Sequence, residues 1–137
     1  MSSQGLSLIL HSDGGSRGNP GPAGAGAVLY DEQGQEVAAL SRYLGRTTNN
    51  EAEYQALLMG LRRAQELGAQ RLTVKMDSEL IVRQLEGKYR VKAPGLKPMY
   101  DEAKRLLQGF ASVTIQHVRR EFNKRADELA NQAMDQR

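Results

Sequence analysis

The chain opens with an alternating run. Leu6, Leu8 and Leu10 alternate with Ser7, Ile9 and His11, which predicts a largely buried strand over residues 6–13. The segments "GAGAVLYD" (24–31) and "EVAALSRYLG" (36–45) predict two more strands, with "EQGQ" (32–35) as the hairpin turn between them. The period then changes. In "TTNNEAEYQALLMGLRRAQELGA" (47–69), Leu57, Leu61 and Ala64 form one stripe and Gly68 is a natural stop, so a helix is predicted. "RLTVKMD" (71–77) returns to period two, and "SELIVRQLEG" (78–87) predicts a short helix. "KYRVKAPGLKP" (88–98) holds two prolines and a glycine and is read as a loop. A helix (99–110), a strand (112–118) and a last helix (123–137) follow. Strands joined by short turns should be antiparallel, and strands separated by helices parallel. The pattern therefore predicts a mixed five-stranded sheet with helices on its faces.

Composition narrows the class. The 137 residues suit a single domain, 1–137, with a real core. There is no Cys, which excludes a disulfide framework and a thiolate zinc site. The apolar runs are too short to span a bilayer, so no membrane association is expected. "MSSQGLSLILHSD" lacks a basic n-region and a cleavage site, so a cytoplasmic location is expected. The net charge of +3 permits a polyanionic partner without demanding one.

Six of the fourteen glycines fall between Gly14 and Gly26, directly after the acid that ends the first predicted strand. In "GSRGNPGPAG" the glycines recur every third position, but the run is too short for collagen, and no Gly-Lys-Ser/Thr follows to make a phosphate-binding loop. Two readings stand: a glycine-rich hairpin turn, or bare backbone that lets a bulky ligand approach the amides. Asp13 at a strand's carboxyl end fits the second, because α/β sheets commonly bind ligands at that edge.

Four acids are candidates for chemistry, and each has a plainer reading. Glu51 is three residues after Thr48, the spacing of a capping box, so it has a sufficient structural role. Glu53 shares the stripe of Leu57 and Leu61 and should point inward, unless it turns out to water from the first turns of its helix. Asp77 sits between a strand and a helix, where it is either an N-cap or a site residue. Asp127 lies in the first turns of the last helix, where the dipole favours any acid. If the strands ending at Asp13 and Asp77 are neighbours, three carboxylates converge. Such repulsion is commonly relieved by a hard divalent cation such as Mg²⁺.

Four segments in order, "DGGSRGNPGPAGAG", "TTNNEAEYQAL", "MDSELIV" and "NKRADELA", resemble type 1 ribonuclease H over about residues 6–135. The resemblance implies a ribonuclease H-like mixed sheet of strand order 3-2-1-4-5 flanked by helices. It also implies a sequence-nonspecific endonuclease that cuts the RNA strand of RNA/DNA hybrids with two Mg²⁺ ions, for which Mn²⁺ can substitute. By motif position the metal-holding acids are Asp13, Glu53, Asp77 and Asp127. The backbone at Gly14, Gly15 and Ser16 would lie along the ribose 2′-hydroxyls, which distinguish RNA from DNA. Asn19, Thr48, Asn49 and Asn50 resemble polar substrate contacts. Thr48 matches a residue that holds a DNA-strand phosphate, a role in competition with its cap. The family's part in removing RNA primers and hybrids during replication and repair, and a monomeric state, are further expectations.

The chain departs from many relatives in two places. The basic, tryptophan-rich protrusion is reduced to "EGKYRVKAPGLKP", leaving Lys88, Arg90, Lys92 and Lys97 to carry affinity, and there is no Trp. The connection "RREF" (119–122) lacks the loop histidine of those relatives, and Arg120 is the candidate for its helper role. His11 and His117 are read as packing or surface residues, with His117 inside the last strand and unable to swing over the acids. A catalytically silent hybrid binder would have no need of all four acids. A nuclease acting on duplex or branched DNA would have no need of a 2′-hydroxyl-facing segment.

Overall fold

The computed structural model describes residues 5–136. Five strands, β1 (Leu6–Ser16), β2 (Gly21–Tyr30), β3 (Glu36–Thr47), β4 (Ala69–Met76) and β5 (Ser112–His117), form one sheet. Four helices complete the fold: α1 (Asn49–Glu66), α2 (Glu79–Leu85), α3 (Lys97–Leu107) and α4 (Lys124–Asp135). The sheet order is β3-β2-β1-β4-β5. β1, β2 and β3 pair antiparallel, while β4 runs parallel to both β1 and β5. Order and pairing are as the sequence predicts.

Several boundaries differ. β1 runs three residues beyond Asp13, and β2 begins at Gly21 rather than residue 24, so most of the glycine-rich segment is sheet and the turn is only residues 17–20. The reason is close packing. A side-chain carbon on Gly14 would lie 2.1 Å from the Ala52 carbonyl oxygen in α1, and one on Gly26 would lie 2.2 Å from the Ala126 carbonyl oxygen in α4. These glycines let two helix backbones press onto the sheet. α3 begins at Lys97 with Pro98 in its first turn, where a proline's missing N–H costs nothing, so the predicted loop is shorter than 88–98. The predicted end of the last helix at residue 137 lies outside the described residues.

The core follows from the stripe on α1. Leu57, Leu61 and Ala64 are fully buried and join Leu8 and Leu10 of β1, Leu72 and Val74 of β4, and Ile81 and Val82 of α2. Burying each such side chain is worth about 1.5–3 kcal/mol relative to leaving it exposed. Tyr54 brings a hydroxyl into this core and donates it to Gln84 Oε1 at 2.6 Å, tying α1 to α2. Among the described residues, no helix is long and apolar enough to cross a membrane.

The parallel ladder between β1 and β4 ends at Ser12 and Met76, while β1 continues against β2 alone. The next residue on each strand is an acid, Asp13 and Asp77. Adjacent strand residues face opposite sides of a sheet. Gly14 faces α1, and Asp13, paired with Gly26, faces α4. Where β4 stops, side chains from both faces meet.

Candidate active site

Each acid arrives on a different element. Asp13 comes from β1, Asp77 from the residue after β4, Glu53 from the first turns of α1 and Asp127 from the first turn of α4. Carboxylate oxygens of Asp13, Glu53 and Asp77 lie within 4.8 Å of one another. Asp127 stands near enough to Asp13 to raise its carboxyl. All four line one cleft of about 400 Å³, with Arg17, Arg120 and Asn49 among the residues around them.

The plainer readings of two acids are settled by geometry. Ser78, not Asp77, caps α2, accepting from the Ile81 amide at 3.3 Å, which leaves the Asp77 carboxylate to the cleft. Glu53 turns toward β1, where Oε1 accepts from the Gly14 amide at 3.1 Å. Thr48 caps α1 by accepting from the Glu51 amide at 3.2 Å, as the capping box requires. Glu51 itself does not reach back to the Thr48 amide; it takes the hydroxyls of Thr47 at 2.8 Å and Thr48 at 3.3 Å. β3 extends through Thr47 and delivers that hydroxyl to it. The Thr48 hydroxyl is thus committed on both sides to the cap.

The remaining residues singled out by sequence hold the rim. Asn49 Oδ1 accepts from the Ser16 amide at 2.9 Å and the Ser16 hydroxyl at 3.2 Å, and Asn19 Oδ1 accepts from the Asn49 amide at 3.0 Å. These bonds stitch the start of α1 to the end of β1. Gly15 lines the cleft beside Gly14, while Asn50 is exposed at the helix start. Arg120 lies on a single 3₁₀ turn, Arg120–Phe122, at the cleft wall. His117 is the last residue of β5, paired with Met76.

The acids carry charge the protein does not balance. Burial, then Glu53, Asp77 and Asp127 in turn, pushes the Asp13 carboxyl up to about 9. Burial and Asp77 push Glu53 up to about 8, against the pull of the Gly14 amide. Burial also raises Asp77, opposed by the nearby Asn123 amide and by the Arg120 charge. Converging oxygen donors that repel one another, with no lysine or arginine of the described residues bonded among them, are the donor set of a hard divalent cation. The residues present fit such a cation.

Asn123 is the site residue that the sequence reading misses. It is buried, donates Nδ2 to the Ser12 carbonyl at 2.9 Å, and pairs Oδ1 with His11 Nδ1 at 3.1 Å. His11 is half-buried with its ring edge-on to Tyr30, and burial lowers its pKa. An Asn directly before a helix reads as an ordinary N-cap, which hides any other role.

The family described as "Reverse transcriptase-like" matches residues 11–133. "Bifunctional protein Rv2228c" of Mycobacterium tuberculosis is 46% identical over 131 residues, 95% of this chain and 36% of that protein. The chain thus spans about a third of that curated relative. The crystal structure of RNase H1 from Halobacterium salinarum is 42% identical, with a TM-score of 0.93, over 96% of this chain and 99% of that one. LC11-RNase H1 in complex with an RNA/DNA hybrid is 45% identical, with a TM-score of 0.89, over 94% of this chain and 97% of that one. Sheet order, the meeting of the acids where β4 stops, and similarity running almost end to end all agree: the chain belongs to the type 1 ribonuclease H family.

Proposed function

We propose that this protein is an endonuclease that hydrolyses the RNA strand of RNA/DNA hybrids, without sequence preference and with Mg²⁺. The observation that carries this reading is the convergence of Asp13, Glu53 and Asp77 in an open cleft with Asp127 alongside. The hybrid bound by LC11-RNase H1 supports the substrate.

The four acids would hold two Mg²⁺ ions, with Mn²⁺ as a substitute. Bound cations of this kind supply Lewis acidity, lowering the pKa of water and offsetting charge on a leaving oxygen. In the hydrolysis a water oxygen bonds to phosphorus, the bond from phosphorus to the 3′-oxygen breaks, and that oxygen takes up a proton. The chain's own groups place the scissile phosphate. The rim at Gly14, Gly15 and Ser16 runs along the ribose 2′-hydroxyls, with the Gly14 amide already given to Glu53. Asn19, Asn49 and Asn50 form the neighbouring polar wall. Thr48 takes a DNA-strand phosphate only by loosening its bond to Glu51. Arg120 holds a phosphate oxygen pair on the opposite wall, as a guanidinium does well. Lys88, Arg90, Lys92 and Lys97 add affinity from the short segment that stands in place of a protrusion. The chain acts as a monomeric domain, 1–137, in the cytoplasm, removing RNA primers and hybrids during replication and repair.

The test is cleavage of an RNA/DNA hybrid beside matched duplex RNA and duplex DNA, with and without Mg²⁺. Cutting of the hybrid's RNA strand alone, only with Mg²⁺ and abolished in Asp13→Asn, is expected. Hybrid binding without cleavage would favour a silent binder, and cutting of duplex DNA a different nuclease.

A further inference from the structure

α4 ends against the usual rule. The last turns of α1, α2 and α3 carry bases, Arg63, Arg83, and Lys104 with Arg105, where the carbonyl end of a helix favours positive charge. α4 carries no base in its last turn, and its final residue is the acid Asp135. The dipole disfavours that acid, so its charge is answered from elsewhere. Arg17, in the turn between β1 and β2, sets Nη1 2.7 Å from Asp135 Oδ1. The Arg17 backbone is pinned, its amide donating to the Pro22 carbonyl at 2.8 Å. The side chains are freer, at 47% exposed for Arg17 and 62% for Asp135. An exposed pair of this kind is held weakly. Arg17 also lines the cleft. It follows Gly14, Gly15 and Ser16 directly along the rim, and Ala130, Asn131 and Met134 line the same cleft along α4 between Asp127 and Asp135.

We propose that Arg17 is a phosphate-binding residue for the RNA/DNA hybrid, held in reserve by Asp135 and passed to a backbone phosphate when the hybrid enters the cleft. The inference rests on the hybrid-binding reading above. The converging acids repel a polyanion, and a guanidinium at the end of the same rim offsets that repulsion. A carboxylate and a phosphate both present paired oxygens to the guanidinium fork, so one can replace the other. The exchange costs little, because Asp135 is exposed and is solvated once released. The ion pair thus sets the guanidinium beside the cleft before the hybrid arrives, and the hybrid then displaces Asp135.

The test measures hybrid affinity of the full chain by fluorescence anisotropy without divalent cation, across a KCl series, beside a cleavage assay with Mg²⁺. Arg17→Gln should weaken binding by about tenfold at low salt, as for the loss of a charged hydrogen bond. It should also reduce the slope of log affinity against log salt by about one. Arg17→Lys should keep that slope, since the charge remains. Asp135→Asn should tighten binding by about two- to fivefold, the usual worth of an exposed ion pair. In the Arg17→Gln background, Asp135→Asn should lose most of that effect. Affinity of Arg17→Gln within about twofold of the unmodified protein, well short of a charged hydrogen bond, with the same salt slope, would overturn the proposal. Equal tightening by Asp135→Asn in both backgrounds would also overturn it, since loss of a negative charge alone would then explain the effect. If the unmodified protein binds the hybrid but does not cut it, the nuclease reading fails while these affinities still decide this one.

Discussion

Two helix starts deliver acids to the site, and they are built by opposite rules. At the start of α1, Thr48 caps the helix, Glu51 closes the box on two threonine hydroxyls, and Glu53 is left for the cleft. At the start of α4, the N-cap Asn123 turns its side chain away from the helix to the carbonyl before Asp13 and to His11, and Asp127 follows in the first turn. α1 is held in place by its own cap, by the Asn49 bond to Ser16 at the end of β1 and by the Asn19 bond from the turn that follows. α4 has exchanged its cap for a hold on the strand that carries Asp13. The difference teaches that a broken local rule marks a residue with another task, whereas a satisfied one, like the Thr48 cap, marks structure.

The largest effect should separate the two glutamates of α1. Glu53→Gln should lower hybrid cleavage by about a thousandfold or more, roughly 4 kcal/mol of barrier. Glu51→Gln should keep most activity, since a Gln side-chain oxygen can still accept a threonine hydroxyl. A steady-state comparison on one hybrid checks both.

Next comes the contrast between the caps themselves. Thr48→Ala should cost about 1 kcal/mol of stability and raise KM rather than lower kcat. Asn123→Ala, which removes the buried donor to the Ser12 carbonyl beside Asp13, should lower kcat instead. Chemical denaturation with parallel kinetics separates them, and a kcat loss in Thr48→Ala would erase the distinction.

A smaller effect is expected at the connection before α4. His117→Ala should slow cleavage by less than about tenfold, roughly 1.4 kcal/mol of barrier. Arg120→Ala should slow it more, because Arg120 lines the cleft and acts on Asp77 from the wall. The rate should also show no histidine-like step between about pH 6 and 7. A large loss in His117→Ala alone would reverse the assignment.

Much of this was legible in the chain. The alternation around Leu8 and Leu10 and the stripe of Leu57, Leu61 and Ala64 fixed the element order, because burial in a sheet and on a helix face leaves those two periods. Three signals misled. Gly14 looks like a turn residue, yet it lies in a strand because the α1 backbone presses on it, a contact between distant segments that no local pattern records. Asp77 could equally have been a cap, until Ser78 took that position. Asn123 falls at the start of the last predicted helix and draws no notice there; its partners His11 and Ser12 are distant in sequence and adjacent only after folding.

The central claim is that the acids form an uncompensated cluster awaiting a divalent cation, and melting against pH tests it most directly. The Asp13 carboxyl is ordinary when unfolded and about 9 when folded. The folded protein therefore holds this proton where the unfolded chain has released it. The stability contributed by that proton is fully present below the unfolded pKa, near pH 4, and is lost as pH rises through the folded value. Glu53 adds to the same trend, with its carboxyl raised to about 8. The measurement is the Tm of the unmodified protein and of Asp13→Asn from pH 5 to pH 9, without divalent cation and with Mg²⁺. Without cation, Asp13→Asn should melt higher, by a margin that widens with pH, and Mg²⁺ should raise the unmodified protein more than the variant. Equal Tm values across the range, with Mg²⁺ moving both proteins alike, would contradict the account.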